Sequence, residues 1–451
     1  MNTQYFAAIT MCLAWLGLVA YTVRTARSAR TSPVTGNGEI AVIYASQTGT
    51  AKDLAQRTVD ALGAERATLV SMAQLNPDHL LHYKIALFIV STYGEGDPPD
   101  MAQSFYTQAL ALPPNPARIS HLQVAMLALG DSSYSYYCGF GRTLSEWLEQ
   151  HGAVFLFDPV LADQCDHNAL LTWRNQLSKL FQARMDTESH YSAWRLVQRR
   201  LLNPNSLGGP CYEVRLEPVQ AEATSAPANS ATSAAPAWQA GDIAEIEIGP
   251  HRLHRDYSIA SIASEGALSL LIRQQTTVDG KPGLGSHWLT QDLEPGAIVQ
   301  LRIRENPLFH APNEPRPAIF IGNGTGIAGL RSLLAARIEQ GHDENWLIFG
   351  ERQRACDFHY GEELSEFHAQ GKISRLDLAF SRDQARKHYV HDLLREAAPA
   401  VKDWVARGAM LYVCGSKNGM AHDVDHALRD ILGAFGYEAL LQGQRYRRDV
   451  Y

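Results

Sequence analysis

Glu39-Ile40-Ala41-Val42-Ile43-Tyr44-Ala45-Ser46-Gln47-Thr48-Gly49-Thr50 is the stretch on which the reading of the fold turns. Its first seven residues form an apolar run short enough for a buried strand. After it, Ala51, Leu54, Ala55, Thr58, Val59 and Leu62 recur at helical spacing. A strand that passes through a small polar loop into a helix is an anion-binding layout. Free backbone N–H groups and the positive end of the helix dipole meet there, and hydroxyls add donors. No G-K-[ST] follows, so the loop is not one that transfers phosphate from ATP. Ser46, Gln47, Thr48, Gly49 and Thr50 suit a phosphate monoester that is held in place. On these residues alone a hydroxyl-rich helix cap is the alternative.

The alternation continues outward. Apolar runs at Thr68–Met72, Ile85–Val90, Leu122–Leu129 and Ala153–Phe157 interleave with helical patterns at Ala102–Leu110, Arg142–Gln150 and Asn168–Phe181. Alternating strands and helices predict a parallel sheet covered on both faces, with ligands at the C-terminal strand ends. Two further loops fall at such ends. One is Ser91-Thr92-Tyr93-Gly94-Glu95-Gly96-Asp97. The other is Leu129-Gly130-Asp131-Ser132-Ser133-Tyr134-Ser135-Tyr136-Tyr137-Cys138. Aromatics set among glycines suit a planar ring held between two tyrosines.

These three loops, Y-A-S-Q-T-G-T-A, S-T-Y-G-E-G-D-P-P-D and L-G-D-S-S-Y-S-Y-Y-C, resemble the flavodoxin-type FMN domain of diflavin reductases, most closely that of the sulfite reductase flavoprotein subunit. The resemblance implies that Ser46, Gln47, Thr48, Gly49 and Thr50 hold the FMN phosphate and that Tyr93 and Tyr137 flank the isoalloxazine. It also implies that Thr92, Gly94, Gly130, Asp131, Tyr134 and Cys138 shape the pocket, with Asp163 as a further acidic residue beside it.

The 451 residues, 45% hydrophobic and 19% charged, allow about three domains and exclude a largely disordered chain. A net charge of -7 gives no basic patch for nucleic acid. The six cysteines are too scattered for a zinc, iron–sulfur or disulfide framework, and no metal site is expected. Residues 36–186 hold 9 Lys and Arg against 15 Asp and Glu, an acidic surface that could steer a basic electron acceptor or simply be solvated. No charge occurs before Arg24, and Tyr5–Val23 is long enough to cross a bilayer. Arg24, Arg27 and Arg30 follow. This pattern predicts an uncleaved inner-membrane anchor in a single-pass protein with its catalytic domains in the cytoplasm.

Val219–Ala237 is rich in Ala, Ser, Thr and Pro and reads as a mobile insert. Around it, Tyr212, Val214 and Leu216, then Ile246 and Ile248, then Val299, Leu301 and Ile303 alternate with polar residues, as the strands of a small antiparallel barrel do. Arg255-Asp256-Tyr257-Ser258 places a pyrophosphate clamp, a stacking ring and a hydroxyl on one strand. Gly283-Leu284-Gly285-Ser286 lets a pyrophosphate approach a helix start. The pair resembles the R-x-Y-S and G-x-x-[ST] motifs that bind FAD in the ferredoxin–NADP reductase fold. The resemblance assigns all four residues of the second motif with Arg255, Tyr257 and Ser258, and makes Arg273 a further candidate.

Ala318–Ile321 leads into Gly322-Asn323-Gly324-Thr325-Gly326-Ile327-Ala328-Gly329, a strand–glycine–helix pattern in which Gly324, Thr325 and Gly326 suit a dinucleotide. Ser381, Arg382, Lys387 and Tyr389 gather cations and hydroxyls beyond a later strand, which favours a 2′-phosphate and so NADPH. The string S-R-D-Q-A-R-K-H-Y-V resembles the diflavin reductases' NADPH site. Met410–Gly415, with Cys414, Asp423 on the next helix, and the tail Asp449-Val450-Tyr451 also resemble that family. There Cys414 would lie at the nicotinamide, Ser258 and Asp449 would form a polar network with it, and Tyr451 would stack on FAD and move aside for nicotinamide.

The fold expected is therefore a flavodoxin-like doubly wound α/β domain, an antiparallel FAD barrel and an α/β NADPH domain, preceded by one transmembrane helix. The boundaries are 1–35 for anchor and tether, 36–186 for the FMN domain, 187–205 for a connecting segment, 206–315 for the barrel with insert 219–237, and 316–451 for the NADPH domain. Departures from the family are a stretch 203–254 too short for its helical connecting domain, His391 for a usual glutamine, Gly329 for a usual proline, and a tyrosine tail end. The implied function is NADPH-dependent electron transfer through FAD and FMN to an external one-electron acceptor: a haem protein, a ferric chelate or a membrane redox partner. The alternatives are a flavin-binding scaffold in a membrane redox complex and a sulfite reductase flavoprotein subunit.

Overall fold

The computed structural model describes residues 39–132, 134–183, 191–219, 237–249, 253–277 and 280–451, which form two compact units. The first unit is built on β1 (Ile40–Ala45), β2 (Ala67–Ser71), β3 (Ile85–Ser91), β4 (Gln123–Gly130), β5 (Val154–Phe155) and β6 (Val160–Asp163). They alternate with α1 (Thr50–Leu62), α2 (Gln103–Leu110), α3 (Gly139–Gln150) and α4 (His167–Phe181). The strand order is β2-β1-β3-β4-β5, all parallel, with β6 also on β4. The chain reverses direction across the sheet between β1 and β3. In doubly wound sheets that switch point, at the carboxyl ends of the strands, is where a ligand finds a crevice.

Strands β1, β3 and β4 are buried on both faces, which is why they read as unbroken apolar runs. Helix α3 lies so close to β4 that a Cβ at Gly141 would stand 2.4 Å from the Ala128 Cβ. Trp147 fills the gap beyond it, stacked on His151 with ring centroids 4.3 Å apart and donating its indole N–H to the Ala109 carbonyl.

The second unit holds two sheets. One is antiparallel: β7 (Ser192–Leu201), β8 (Cys211–Pro218), β9 (Ile243–Ile248), β10 (Leu253–Ser258), β11 (Leu268–Arg273) and β12 (Ile298–Arg304), in the order β10-β9-β12-β7-β8-β11. A bridge between Ile259 and Leu270, backed by the Ala260 N–H donating to the Ser269 carbonyl at 2.8 Å, joins the two edge strands and closes the sheet. Trp194, Leu196, Val214, Leu216, Ile246, Leu270 and Leu301 fill the interior.

The other sheet is parallel, in the order β15-β14-β13-β16-β17. It comprises β13 (Ala318–Asn323), α5 (Ile327–Glu339), β14 (Asn345–Glu351), α6 (Gly361–Ala369), β15 (Arg375–Phe380), α7 (Val390–Glu396), α8 (Ala398–Ala406), β16 (Met410–Gly415), α9 (His422–Gln442) and β17 (Tyr446–Val450). Its switch point lies between β13 and β16.

Two expectations change against this structure. Ser192–Leu201, placed by the sequence in a connecting segment, is β7, flanked by β12 and β8 inside the barrel. Its alternation is interrupted by a register shift between Leu196 and Gln198, which breaks the period that would have marked it. The alternation on β12 also breaks: Arg304 is 3% exposed and ion-paired with Asp256, where the period would place an outward residue. Among the described residues the only helical pieces between α4 and β13 are the short turns Ala263–Glu265, Leu284–His287 and Trp288–Asp292. The anchor and tether at 1–35 lie outside the described residues, as does nearly all of the insert 219–237. No helix among the described residues is long and apolar enough to cross a membrane.

Candidate active site

At the first switch point the loop after β1 starts with Ser46, whose hydroxyl accepts the Ala51 N–H at 3.2 Å. Gly49 takes φ +88°, a conformation that puts a side chain under strain. After β3, Tyr93 and Asp97 exchange backbone hydrogen bonds of 2.8 Å, closing a tight turn around Gly94 and Gly96, both at positive φ. The Thr92 hydroxyl is buried and finds no partner among the described residues. A buried hydroxyl left without a partner fits a bound polar ligand. After β4, a Cβ on Gly130 would lie 2.8 Å from the Cys138 sulfur and 3.1 Å from the Tyr137 ring, so only glycine lets that loop fold back. Cys138 sits at φ +53° with its thiol toward the Ala128 carbonyl at 3.3 Å, and burial pushes its pKa up.

Asp163 accepts the Ser132 N–H at 2.8 Å and its hydroxyl at 2.5 Å. It clamps the Leu129–Cys138 loop from the end of β6. Tyr137 is half-buried beneath Arg142, whose guanidinium lies 6.0 Å from the ring centre. Tyr134 donates its N–H to the Asp131 carbonyl at 3.2 Å.

On the barrel, the Arg255, Tyr257 and Gly285 positions converge. A Cβ on Gly285 would lie 2.8 Å from Arg255 Cγ and 3.2 Å from the Tyr257 hydroxyl. Ser286 is spent locally: its hydroxyl accepts the Gln275 N–H and donates to the Gly283 carbonyl. Leu284 is exposed.

Ser258 ends β10, and its hydroxyl donates to Asp449 Oδ2 at 2.7 Å. Asp449 on β17 pairs in register with Cys414 on β16, whose sulfur lies 3.8 Å from the same carboxylate oxygen. A Cβ on Gly329 would come within 3.3 Å of Cys414 Sγ and 3.5 Å of Ser258 Cβ, so the glycine leaves this triad its space. Burial pushes the Cys414 thiol well up, with the Asp449 charge adding to it, so it is held as a thiol and is no nucleophile. Burial also raises Asp449, while Ser258 and Arg304 pull it back. Tyr451 follows, its hydroxyl 3.0 Å from that of Thr325. Gly326 meets the Cys414 carbonyl so closely that a Cβ would stand 2.1 Å away. Gly324 takes φ +57°. The turn is therefore a bare backbone cradle at the second switch point, opening helix α5.

Beyond β15, a cavity of about 500 Å³ is lined by Arg354, Arg386, Lys387, His388, Asp383 and Gln384, among others. Of the four residues expected there, Lys387 lines it. Ser381 and Arg382 are tied by their backbone N–H groups to the carbonyls of Glu351 and Arg352, and Tyr389 stacks on His391 beyond it. Sequence reasoning missed Arg354, which comes from the loop after β14; only its neighbourhood in space marks it. His391 faces Asp423 across 3.6 Å.

A sheet with the flavodoxin strand order, a closed antiparallel barrel and a second parallel sheet with a glycine turn at its switch point define a flavoprotein oxidoreductase of two flavins. The comparisons agree with that class. The flavodoxin family matches residues 42–173, and the oxidoreductase NAD-binding domain matches residues 320–426. The chain is an NADPH-dependent flavoprotein oxidoreductase whose flavodoxin domain binds FMN and whose second module binds FAD and NADPH, as in the diflavin reductases it is similar to.

Its curated relatives include the sulfite reductase [NADPH] flavoprotein alpha-component of Shewanella sp. (strain MR-7), 28% identical over 97% of this chain and 95% of the relative. That of Vibrio cholerae serotype O1 (strain ATCC 39315 / El Tor Inaba N16961) is 28% identical over 92% and 88%, and that of Escherichia coli O1:K1 / APEC is 27% identical over 94% and 92%. The first of these alignments runs over 575 positions against a chain of 451, so more than 120 positions of the relative have no counterpart here.

These relatives also correct the expectation of a single-pass inner-membrane protein. They are sulfite reductase flavoprotein alpha-components aligned over 92–97% of this chain, and no helix among the described residues is long and apolar enough to cross a membrane.

Proposed function

We propose that this chain is the electron-delivering flavoprotein of a sulfite-reductase-type pair, taking hydride from NADPH and passing electrons to a separate haem protein. The observation that carries this reading is the near end-to-end likeness to sulfite reductase flavoprotein alpha-components. When bound, the two flavins supply the conversion of a two-electron donation into one-electron deliveries.

The chain's own residues do the rest. Ser46, Gln47, Thr48, Gly49 and Thr50 hold the FMN phosphate with hydroxyls and backbone N–H groups. Tyr93 and Tyr137 bracket the ring, with Thr92, Gly94, Gly130, Asp131, Tyr134 and Cys138 shaping its pocket. Asp163 keeps the third loop closed. Arg255, Tyr257, Gly283, Leu284, Gly285 and Ser286 hold FAD on the barrel. Gly324, Thr325 and Gly326 receive the nicotinamide nucleotide, while Lys387, with Arg354 and Arg386, holds its 2′-phosphate; Ser381, Arg382, Tyr389 and Asp423 frame that end. Ser258 and Asp449 form a hydrogen-bonded pair beside the buried Cys414 thiol. The pair places a carboxylate where positive charge develops on a nicotinamide that gives up hydride. Tyr451 covers that position, and its tie to Thr325 must break for nicotinamide to enter.

The test mixes the purified chain with a sulfite reductase haem component such as that of Shewanella, NADPH and sulfite. The reading expects NADPH oxidation coupled to sulfite consumption. Reduction of cytochrome c by the chain, with no transfer to the haem component, would contradict the sulfite-reductase pairing. Full flavin loading without any turnover would favour a scaffold.

A further inference from the structure

Arg331 lies near the start of α5, just beyond Gly329, whose missing side chain lets that helix approach Ser258 and Cys414. Its side chain is 12% exposed and reaches in two directions. Toward α6, Nε and Nη2 hold the two Glu363 oxygens at 2.7 and 2.6 Å, a parallel fork. Toward the barrel, Nη1 donates to the Ala260 carbonyl at 2.8 Å and to Glu265 Oε1 at 3.0 Å. The Tyr360 ring centre lies 5.2 Å from the guanidinium carbon.

Both barrel partners are themselves fixed. Ala260 follows closely on Ser258, and its N–H makes the bond to the Ser269 carbonyl that closes the barrel. Glu265 Oε1 also accepts the Ile262 N–H at 3.2 Å, which fastens the turn between β10 and β11. One side chain therefore joins the helix that opens at the glycine turn to the strand end that carries Ser258. The tightest approach between those two segments is next to it: a Cβ on Gly329 would stand 3.5 Å from the Ser258 Cβ. A largely buried arginine facing two carboxylates adds little net stability, because desolvation offsets the attraction. What its planar fork does fix is distance and orientation.

We propose that Arg331 is a positioning residue for hydride transfer, setting the spacing between the glycine turn that receives the nicotinamide nucleotide and the barrel strand end at Ser258. This rests on the reading that NADPH on the Gly324–Gly326 turn reduces FAD held on the barrel. A misplacement of about 1 Å caused by a remote substitution costs a rate of about 100-fold, so loss of part of the fork is expected to cost about tenfold.

Arg331→Lys keeps the cation and loses the fork. In stopped flow on the holoprotein, flavin bleaching at saturating NADPH should slow about tenfold, while the NADP+ dissociation constant from calorimetry stays within about twofold. Amide hydrogen exchange in the nucleotide-free protein should quicken in residues 258–270 and 324–333 together, as the two segments come apart. Glu265→Gln, at a carboxylate 33% exposed, weakens the barrel-side arm alone; it should slow bleaching about threefold and stands in if Arg331→Lys fails to fold. Bleaching within about twofold of the unaltered protein in both variants, a loss recovered by adding more NADPH, or unchanged exchange in the two segments would overturn the positioning role. Failure of the unaltered protein to be bleached by NADPH would instead overturn the reading beneath it.

Discussion

Replacing Asp449 with asparagine keeps the shape of the side chain and removes its charge. In the structure Asp449 is 4% exposed, takes the Ser258 hydroxyl at 2.7 Å and lies 3.8 Å from the Cys414 sulfur. An asparagine oxygen can still accept from Ser258, so packing survives and the charge-assisted part of the interaction is lost. Hydrogen bonds to charged groups contribute about 1.5–3 kcal/mol and neutral ones about 0.5–1.5, so the part lost is about 1–1.5 kcal/mol. If it is expressed in the transition state of hydride transfer, the rate falls by about 5- to 12-fold. Stopped-flow bleaching of the flavins by NADPH measures it. Electron delivery from dithionite-reduced protein to cytochrome c, which bypasses NADPH, should be unchanged. The sign with pH also follows. Burial raises the Asp449 pKa above its ordinary 3.8, so as pH falls the carboxylate is neutralised sooner than an exposed one, and the wild-type rate drops with it. The Asp449→Asn rate should be flat across that range. Bleaching within about twofold of wild type at neutral pH would refute an electrostatic role and leave Asp449 a packing residue.

Gly326→Ala should abolish NADPH-driven bleaching and lower the melting temperature of its domain while FMN content is unchanged. The new Cβ meets the Cys414 backbone carbonyl, which cannot swing away as a side chain would, and overpacking of this kind costs about 1–3 kcal/mol or more. Asp163→Ala should release FMN and spare FAD, read by flavin fluorescence after gel filtration, because the Ser132 N–H and hydroxyl lose their acceptor. His359 is 2% exposed with neither ring nitrogen hydrogen-bonded among the described residues, and burial pushes its pKa from 6.5 down to about 4. The unfolded chain therefore takes up a proton that the folded one refuses. Stability falls as pH drops from about 6.5 to about 4, by up to about 3 kcal/mol, and denaturant melts of His359→Leu should lack that component.

The FMN loops could be read from the sequence because each sits directly on the end of a buried strand, where glycines and tyrosines are contiguous. The second glycine turn was legible for the same reason. Other parts were hidden by distance along the chain. Ser258 and Asp449 are 191 residues apart, and only the resemblance to diflavin reductases linked them before the fold did. Arg354 reaches the cavity beyond β15 from a different strand loop, with no local signal. Strand β7 was missed because the shift at Leu196/Gln198 breaks its period, and the inward Arg304 defied alternation because Asp256 neutralises it. The membrane expectation came from an uncharged run that lies outside the described residues, and the likeness to sulfite reductase flavoprotein alpha-components does not bear it out.

The account rests on two flavins and one nucleotide in a single chain. Anaerobic titration of the purified protein with NADPH, with flavins quantified by release, tests it most directly. The prediction is near-equimolar FMN and FAD, both bleached after about two equivalents of NADPH, since each flavin takes up two electrons. Bound FAD without FMN, or a colourless protein that takes up neither flavin on reconstitution, would contradict it.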